Sequence, residues 1–209
     1  MTSTSHRYST NDPDFDATHG VLKNILGLTD EQALEQAENQ ALIEAYDEAA
    51  IAYSENDVFT SSDVCHLHKK FLGKIYKWAG SYRTIDLSSP GIRWCHAKFI
   101  EKEMQKFGAR LEELTPFSPD LTREEIIARL AEIHGELVVI HPFRDGNGRT
   151  TRLLCDLLLM QAELPPISPT VFDDKKTREE YFAAIRDVWT KVDYSGLIQL
   201  FEQLVAVKS

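Results

Sequence analysis

The chain has 209 residues, 43% apolar and 27% charged, the balance of a soluble globular protein with a single core. Its formal net charge of −10 argues against a polynucleotide partner, because phosphate neutralisation needs a basic face, and leaves proteins or nucleotides as partners. No apolar run approaches the roughly 18 residues of a membrane span, no leader segment is expected at residues 1–16, and three scattered cysteines (Cys65, Cys95, Cys155) exclude a disulfide framework and a paired-cysteine zinc site, so a cytoplasmic protein is the expectation.

Residues 1–16 are rich in Ser, Thr, Asn and Asp without periodicity and read as a flexible arm; residues 17–209 read as one domain. Residues 20–28 space Val21, Leu22, Ile25 and Leu26 like a short helix. Thr29, with Gln32 three residues on, marks the start of a long helix to about Tyr53, with Leu34, Ala41, Ala45 and Ala49 along one face. Ser61-Ser62-Asp63 caps a second helix running to about Trp78. Segments 82–87 and 92–95 are extended in character and flank the turn signal Ser88-Ser89-Pro90-Gly91, which predicts a β-hairpin, the only one in the chain. An isolated hairpin is marginal in water, so it must rest on a helical body. Helices resume over 97–114, 122–140, 148–163, 176–191 and 194–207, with Pro165, Pro166 and Pro169 breaking the chain. The fold class that follows is all-α, seven or eight helices with one inserted hairpin.

The chemistry concentrates at residues 141–152. Pro142 forces a turn at His141, Phe143 is an apolar plug, and Arg144 and Asp145 read as exposed polar residues. Gly146-Asn147-Gly148 feeds a helix that is apolar nearly all round and therefore buried. A glycine-flanked turn at a helix N-terminus is an anion site, with N–H groups pointing outward and the helix dipole adding positive charge. Arg149 and Arg152, three apart, can fork onto phosphate oxygens, and Asp156, four after Arg152, can hold it in place. Asp145 is a hard oxygen ligand suited to Mg²⁺ on phosphates. His141 has an ordinary pKa of about 6.5 and can take a proton from a hydroxyl. Together these groups describe phosphoryl or nucleotidyl transfer to an alcohol.

The string His141-Pro142-Phe143-Arg144-Asp145-Gly146-Asn147-Gly148-Arg149-Thr150-Thr151-Arg152 resembles the signature of the Fic (filamentation induced by cAMP) family at every position. The resemblance implies a protein adenylyltransferase with ATP as substrate. It makes His141 the base that deprotonates a Ser, Thr or Tyr hydroxyl of a target protein. Asp145 holds Mg²⁺, Gly146, Asn147 and Gly148 cradle phosphates, and Arg149 and Arg152 bind the β- and γ-phosphates. It also makes the hairpin (Ile85, Asp86, Leu87, Ile92, Arg93, Trp94) a flap that pairs with an extended target segment. Doc-type relatives that act as kinases carry lysine where this chain has Gly148, so adenylyl transfer is favoured; a kinase, another nucleotidyl transferase, or a non-catalytic nucleotide-responsive binding protein are the alternatives. Many relatives carry an internal helix, Ser/Thr-x-x-x-Glu-Gly/Asn, whose glutamate pairs with the second motif arginine. Glu38-Asn39 and Glu55-Asn56 fail that pattern because Leu34 and Ile51 stand in the Ser/Thr positions. The resemblance therefore implies a bacterial toxin silenced by a small antitoxin that supplies the glutamate to Arg152, with type II topoisomerase subunits as the suggested target.

Cys65, His66 and His68 raise a metal site, but with no second ligand pair they read as helix packing, as does His134. Trp78, Tyr82 and Trp94 read as pinning the hairpin to the body.

Overall fold

The computed structural model describes residues 13–89, 92–168, 171–172 and 174–205. Seven α-helices lie among them: α1 (Glu31–Ala52), α2 (Ser61–Leu72), α3 (Ile100–Leu114), α4 (Arg123–Ile140), α5 (Asn147–Gln161), α6 (Lys175–Lys191) and α7 (Ser195–Leu204). The all-α expectation holds, with one apolar cluster running from Val21 to Val205.

Each helix start is written in a side chain. Asp30, not Thr29, caps α1, because its carboxylate accepts the Ala33 N–H. Thr60 precedes the expected Ser61 and caps α2 reciprocally with Asp63; Thr122 and Glu125 do the same for α4. The α2 helix ends at Leu72, six residues before Trp78, with Gly73 at its C-cap; glycine is a poor helix former and lets the chain leave in tight turns.

The helix α5 is the centre of the body. Eleven of its residues are buried, and it packs against α1, α2 and α4. Helix α4 joins the rest, packing against α3, α6 and α7 as well. The narrow stripe Ala41, Ala45 and Ala49 faces the core from α1.

Two hairpins are present among the described residues, where one was expected. Residues 20–28 do not form a helix: β1 (Phe15–Asp16) pairs antiparallel with β2 (Val21–Leu22), because Gly20 and Gly27 both hold positive φ and turn the chain. This hairpin overlaps the last residues of the expected arm; residues 1–12 lie outside the described ones. The second hairpin joins β3 (Ser88–Ser89) to β4 (Ile92–Arg93), in register Ser88 with Arg93 and Ser89 with Ile92. Its strands are shorter than 82–87 and 92–95 because the lead-in residues bond to the body instead of each other; Pro90-Gly91 lies outside the described residues. A 3-10 turn (Ala97–Phe99) opens α3, since the His96 and Asp86 side chains accept the Lys98 and Ala97 N–H groups.

Candidate active site

The loop between α4 and α5 is set by backbone chemistry at its two ends. Pro142 blocks helix continuation, and His141 closes α4 in the left-handed region at φ 52°, ψ 58°. Gly146 opens α5 at φ 77°. A Cβ there would also come within 2.7 Å of Leu72 Cδ1 and 3.3 Å of His68 Nε2, so only glycine fits.

Between them Phe143 is fully buried, as expected of a plug. Its N–H donates to Asn147 Oδ1 at 2.7 Å, and Asn147 Nδ2 donates to its carbonyl at 2.8 Å. The Asn147 side chain is thus taken up in stapling the loop. What it offers an anion is its backbone N–H in the first turn of α5. Arg144, expected to be exposed, is buried: the turn that seats Phe143 in the core draws the next residue in with it.

The His141 ring is fixed by two contacts. Nδ1 lies 3.2 Å from the Val138 carbonyl oxygen. A carbonyl only accepts, so Nδ1 carries a proton, and in the neutral ring Nε2 carries the lone pair. Trp94 stacks on the ring at 4.1 Å between centroids and 9° between planes. Trp94 does pin the flap to the body, and it does so on the His141 ring.

Asp145 accepts from the Gly146 N–H and lies 3.4 Å from an Arg149 guanidinium nitrogen, with its side chain partly exposed. The Arg149 guanidinium sits 4.9 Å over the Phe71 ring and donates to Glu38 Oε2 at 2.5 Å. Glu38 accepts from the Tyr76 hydroxyl as well. The glutamate that the Ser/Thr-x-x-x-Glu pattern set aside therefore does reach a motif arginine, but Arg149, not Arg152. Arg152 lies 5.5 Å over the Phe172 ring and folds back beside Gly148, where a Cβ would be 3.6 Å from Nη1. Asp156, expected to hold Arg152, accepts from the Tyr46 hydroxyl at 2.6 Å and the Ile167 N–H at 3.0 Å, and acts on Arg152 through its charge; burial raises its pKa.

His68, read in the sequence as helix packing after a metal site was weighed, sits directly under the loop. It is fully buried and stacks on Phe143 at 3.8 Å and 7°. The Gly80 N–H donates to its Nδ1, so its Nε2–H donates to the Asp145 carbonyl at 2.9 Å. It holds the loop from beneath; among the described residues no group of three ligating side chains occurs. Burial pushes its pKa down to about 4, and that of His134, hydrogen-bonded to Tyr181, to about 3. Both folded values lie below the unfolded 6.5. The unfolded chain therefore binds protons first, so their stability contribution is complete above pH 6.5 and lost as pH falls toward 4 and 3. Each histidine steepens that loss by about 1.4 kcal/mol per pH unit within its window. Thermal melts from pH 7 to 4 should show the transition temperature falling below pH 6.5; a flat profile would contradict the buried neutral state.

The flap residues divide. Ile85 and Leu87 are half-buried, and exposed Asp86 ties the hairpin base, accepting the Ala97 N–H at 2.8 Å and lying 3.1 Å from His96 Nε2. Ile92 and Arg93 supply the backbone of β4. Beneath them, Arg83 is buried and bonded to three carbonyls, of which the sequence gave no hint.

Residues 58–159 match the Fic/DOC family. The chain is 32% identical over 146 residues to the probable protein adenylyltransferase Fic of Salmonella typhimurium, an alignment covering 68% of this chain and 69% of that one. It is 33% identical over 143 residues to the protein adenylyltransferase VbhT of Bartonella schoenbuchensis, covering 68% of this chain and 29% of that protein, so it spans under a third of that relative's length. In fold it is similar to the BepC effector of Bartonella tribocorum with bound AMPPNP, with a TM-score of 0.76 over 94% of this chain and 97% of that one at 19% identity. A Fic domain of Bartonella quintana with bound ADP gives a TM-score of 0.77 over 94% and 95% at 21% identity. The matched span carries α2, the flap and the whole loop from His141 to Arg152, and the chain belongs to the Fic/DOC family.

Proposed function

We propose that this chain is a protein adenylyltransferase that moves AMP from ATP to a hydroxyl side chain of another protein. The observation that carries the reading is the His141 ring, held with its proton on Nδ1 and its lone pair on Nε2, beside an anion-binding helix start with two arginines. The target hydroxyl gives its proton to Nε2 while its oxygen bonds to the α-phosphorus of ATP. The bond from that phosphorus to the bridging oxygen breaks, and pyrophosphate leaves. The N–H groups of the first turn of α5, with Arg149 and Arg152, bind the phosphate charge. Asp145, one partly exposed carboxylate at the loop, fits a Mg²⁺ ion that takes its other ligands from phosphates and water; bound there, the ion would neutralise phosphate charge. Transfer of AMP rather than the γ-phosphoryl is supported by Gly148 in place of the kinase lysine and by the two relatives, both named protein adenylyltransferases.

The reading extends to a bacterial toxin of the cytoplasm, silenced when a small antitoxin's glutamate engages Arg152. The internal glutamate at the loop takes Arg149, which leaves Arg152 for a partner. No helix among the described residues is long and apolar enough to cross a membrane. Type II topoisomerase subunits are the target class that the family resemblance favours, docked as an added strand on the flap.

The test incubates the purified chain with Mg²⁺, a bacterial lysate, and ATP labelled at the α- or, in parallel, the γ-phosphate. Label on a lysate protein from α-labelled ATP alone is the expected result; label from γ-labelled ATP alone would make the chain a kinase.

A further inference from the structure

The residue that joins the flap to the catalytic base is Arg83. Its side chain is buried, and among the described residues no carboxylate takes its charge in a direct contact: its partners are three backbone carbonyls. Nε donates to the His141 carbonyl at 2.8 Å, one terminal nitrogen to Ile85 at 2.6 Å, and the other to Cys95 at 2.5 Å. Its own N–H donates to the Pro142 carbonyl at 2.9 Å. Ile85 and Cys95 stand on the two stems of the β3–β4 hairpin, one entering and one leaving. The next residue back from Cys95 is Trp94, whose indole lies flat on the His141 ring. One planar guanidinium thus fixes both stems of the flap and the backbone of the base in a single frame. Its hydrogen bonds go to His141, Pro142 and the two stems, and not to the stretch Gly146 to Arg152.

Resting on the adenylyl-transfer reading, we infer that Arg83 is a positioning residue: it sets the distance between a target strand paired on the flap and Nε2 of His141. The geometry follows from the side chain. A guanidinium presents donors in a rigid plane and spans three carbonyls at once, which a lysine ammonium on a flexible stem does not. Without that plane, flap and base move independently, and the target hydroxyl is delivered off line. Near-attack geometry is steep in distance, and a displacement of about 1 Å costs on the order of 10²-fold in rate. The loss falls on the protein substrate and spares the nucleotide, because Arg83 makes no hydrogen bond to the groups proposed to bind phosphate, Gly146 to Arg152.

The test compares the unsubstituted chain with Arg83→Lys and Arg83→Ala, using as substrate the lysate protein that the unsubstituted chain labels. ATP affinity is measured by calorimetry, and kcat and KM for the protein substrate separately. The expected result is a loss of about 10²-fold in kcat/KM for the target in both variants, ATP affinity held within about twofold, and partial recovery of Arg83→Ala by added guanidinium. Full target turnover in Arg83→Lys would overturn the inference. So would loss of ATP binding and of the thermal transition in both variants, which would make Arg83 a residue of the fold and not of positioning. Nitrogen NMR of the His141 ring separates this inference from the activity reading, since it needs no turnover. The unsubstituted chain should show the Nδ1-protonated tautomer alone, and Arg83→Lys a mixture. An unchanged ring in the variant would overturn the inference even if the unsubstituted chain transferred no AMP.

Discussion

Replacing His141 by asparagine lowers AMP transfer by roughly 10²–10⁴-fold, the contribution of a positioned general base. Asparagine is the informative substitution because of the backbone. His141 sits in the left-handed region, where alanine carries a steric cost of about 1–2 kcal/mol and asparagine is among the residues that tolerate it. The variant therefore keeps the turn and removes the basic nitrogen, together with the ring on which Trp94 stacks. ATP affinity should stay close to that of the unsubstituted chain, because the proposed phosphate contacts are those of Arg149, Arg152 and the first turn of α5. A single-turnover assay with α-labelled ATP, paired with calorimetric ATP binding, checks both halves. Retained transfer would remove His141 from the proton path, and lost ATP binding would mean that the loop had collapsed.

The second large effect is on stability. Phe143→Ala should destabilise the fold by about 3–5 kcal/mol, the range for removing a fully buried aromatic ring. Phe143 is fully buried, stacks on His68 and leans against Tyr82 at 6.2 Å. Its loss opens a cavity under the loop that the surroundings cannot fill, because His68 is held at both ring nitrogens. The same ring also anchors the loop, so the residual folded fraction should bind ATP weakly. Urea denaturation of the variant against the unsubstituted chain measures the difference. A change under about 1 kcal/mol would show that the loop is seated by the Asn147 staple alone.

What the sequence discloses is what lies close along it. The run from His141 to Arg152 is contiguous, and its residue types carry their chemistry openly, so the candidate loop with its histidine, glycines and arginines was legible as one unit. Helices were legible from apolar spacing, with ends misplaced by one to six residues where a neighbouring residue capped better or a glycine intervened. Residues 20–28 misled because a strand of two residues leaves no periodicity, and Val21 and Leu22 fit a helix face as well as a strand. The partners that position the site were not legible, since their contacts span long stretches of chain. Glu38 is 111 residues from Arg149, His68 is 77 from Asp145, and Arg83 is 58 from His141. Nor does the motif reveal that the Asn147 amide bonds back onto Phe143, or that Arg144 turns inward, because both depend on how deeply the phenyl ring sinks.

The most direct test of AMP transfer onto a hydroxyl is the intact mass of the lysate target after incubation with the chain, ATP and Mg²⁺, with fragmentation to locate the modified side chain. The account predicts the added mass of one AMP on a Ser, Thr or Tyr, absent when His141→Asn is used. The added mass of a phosphate, or an AMP that persists with His141→Asn, would contradict it.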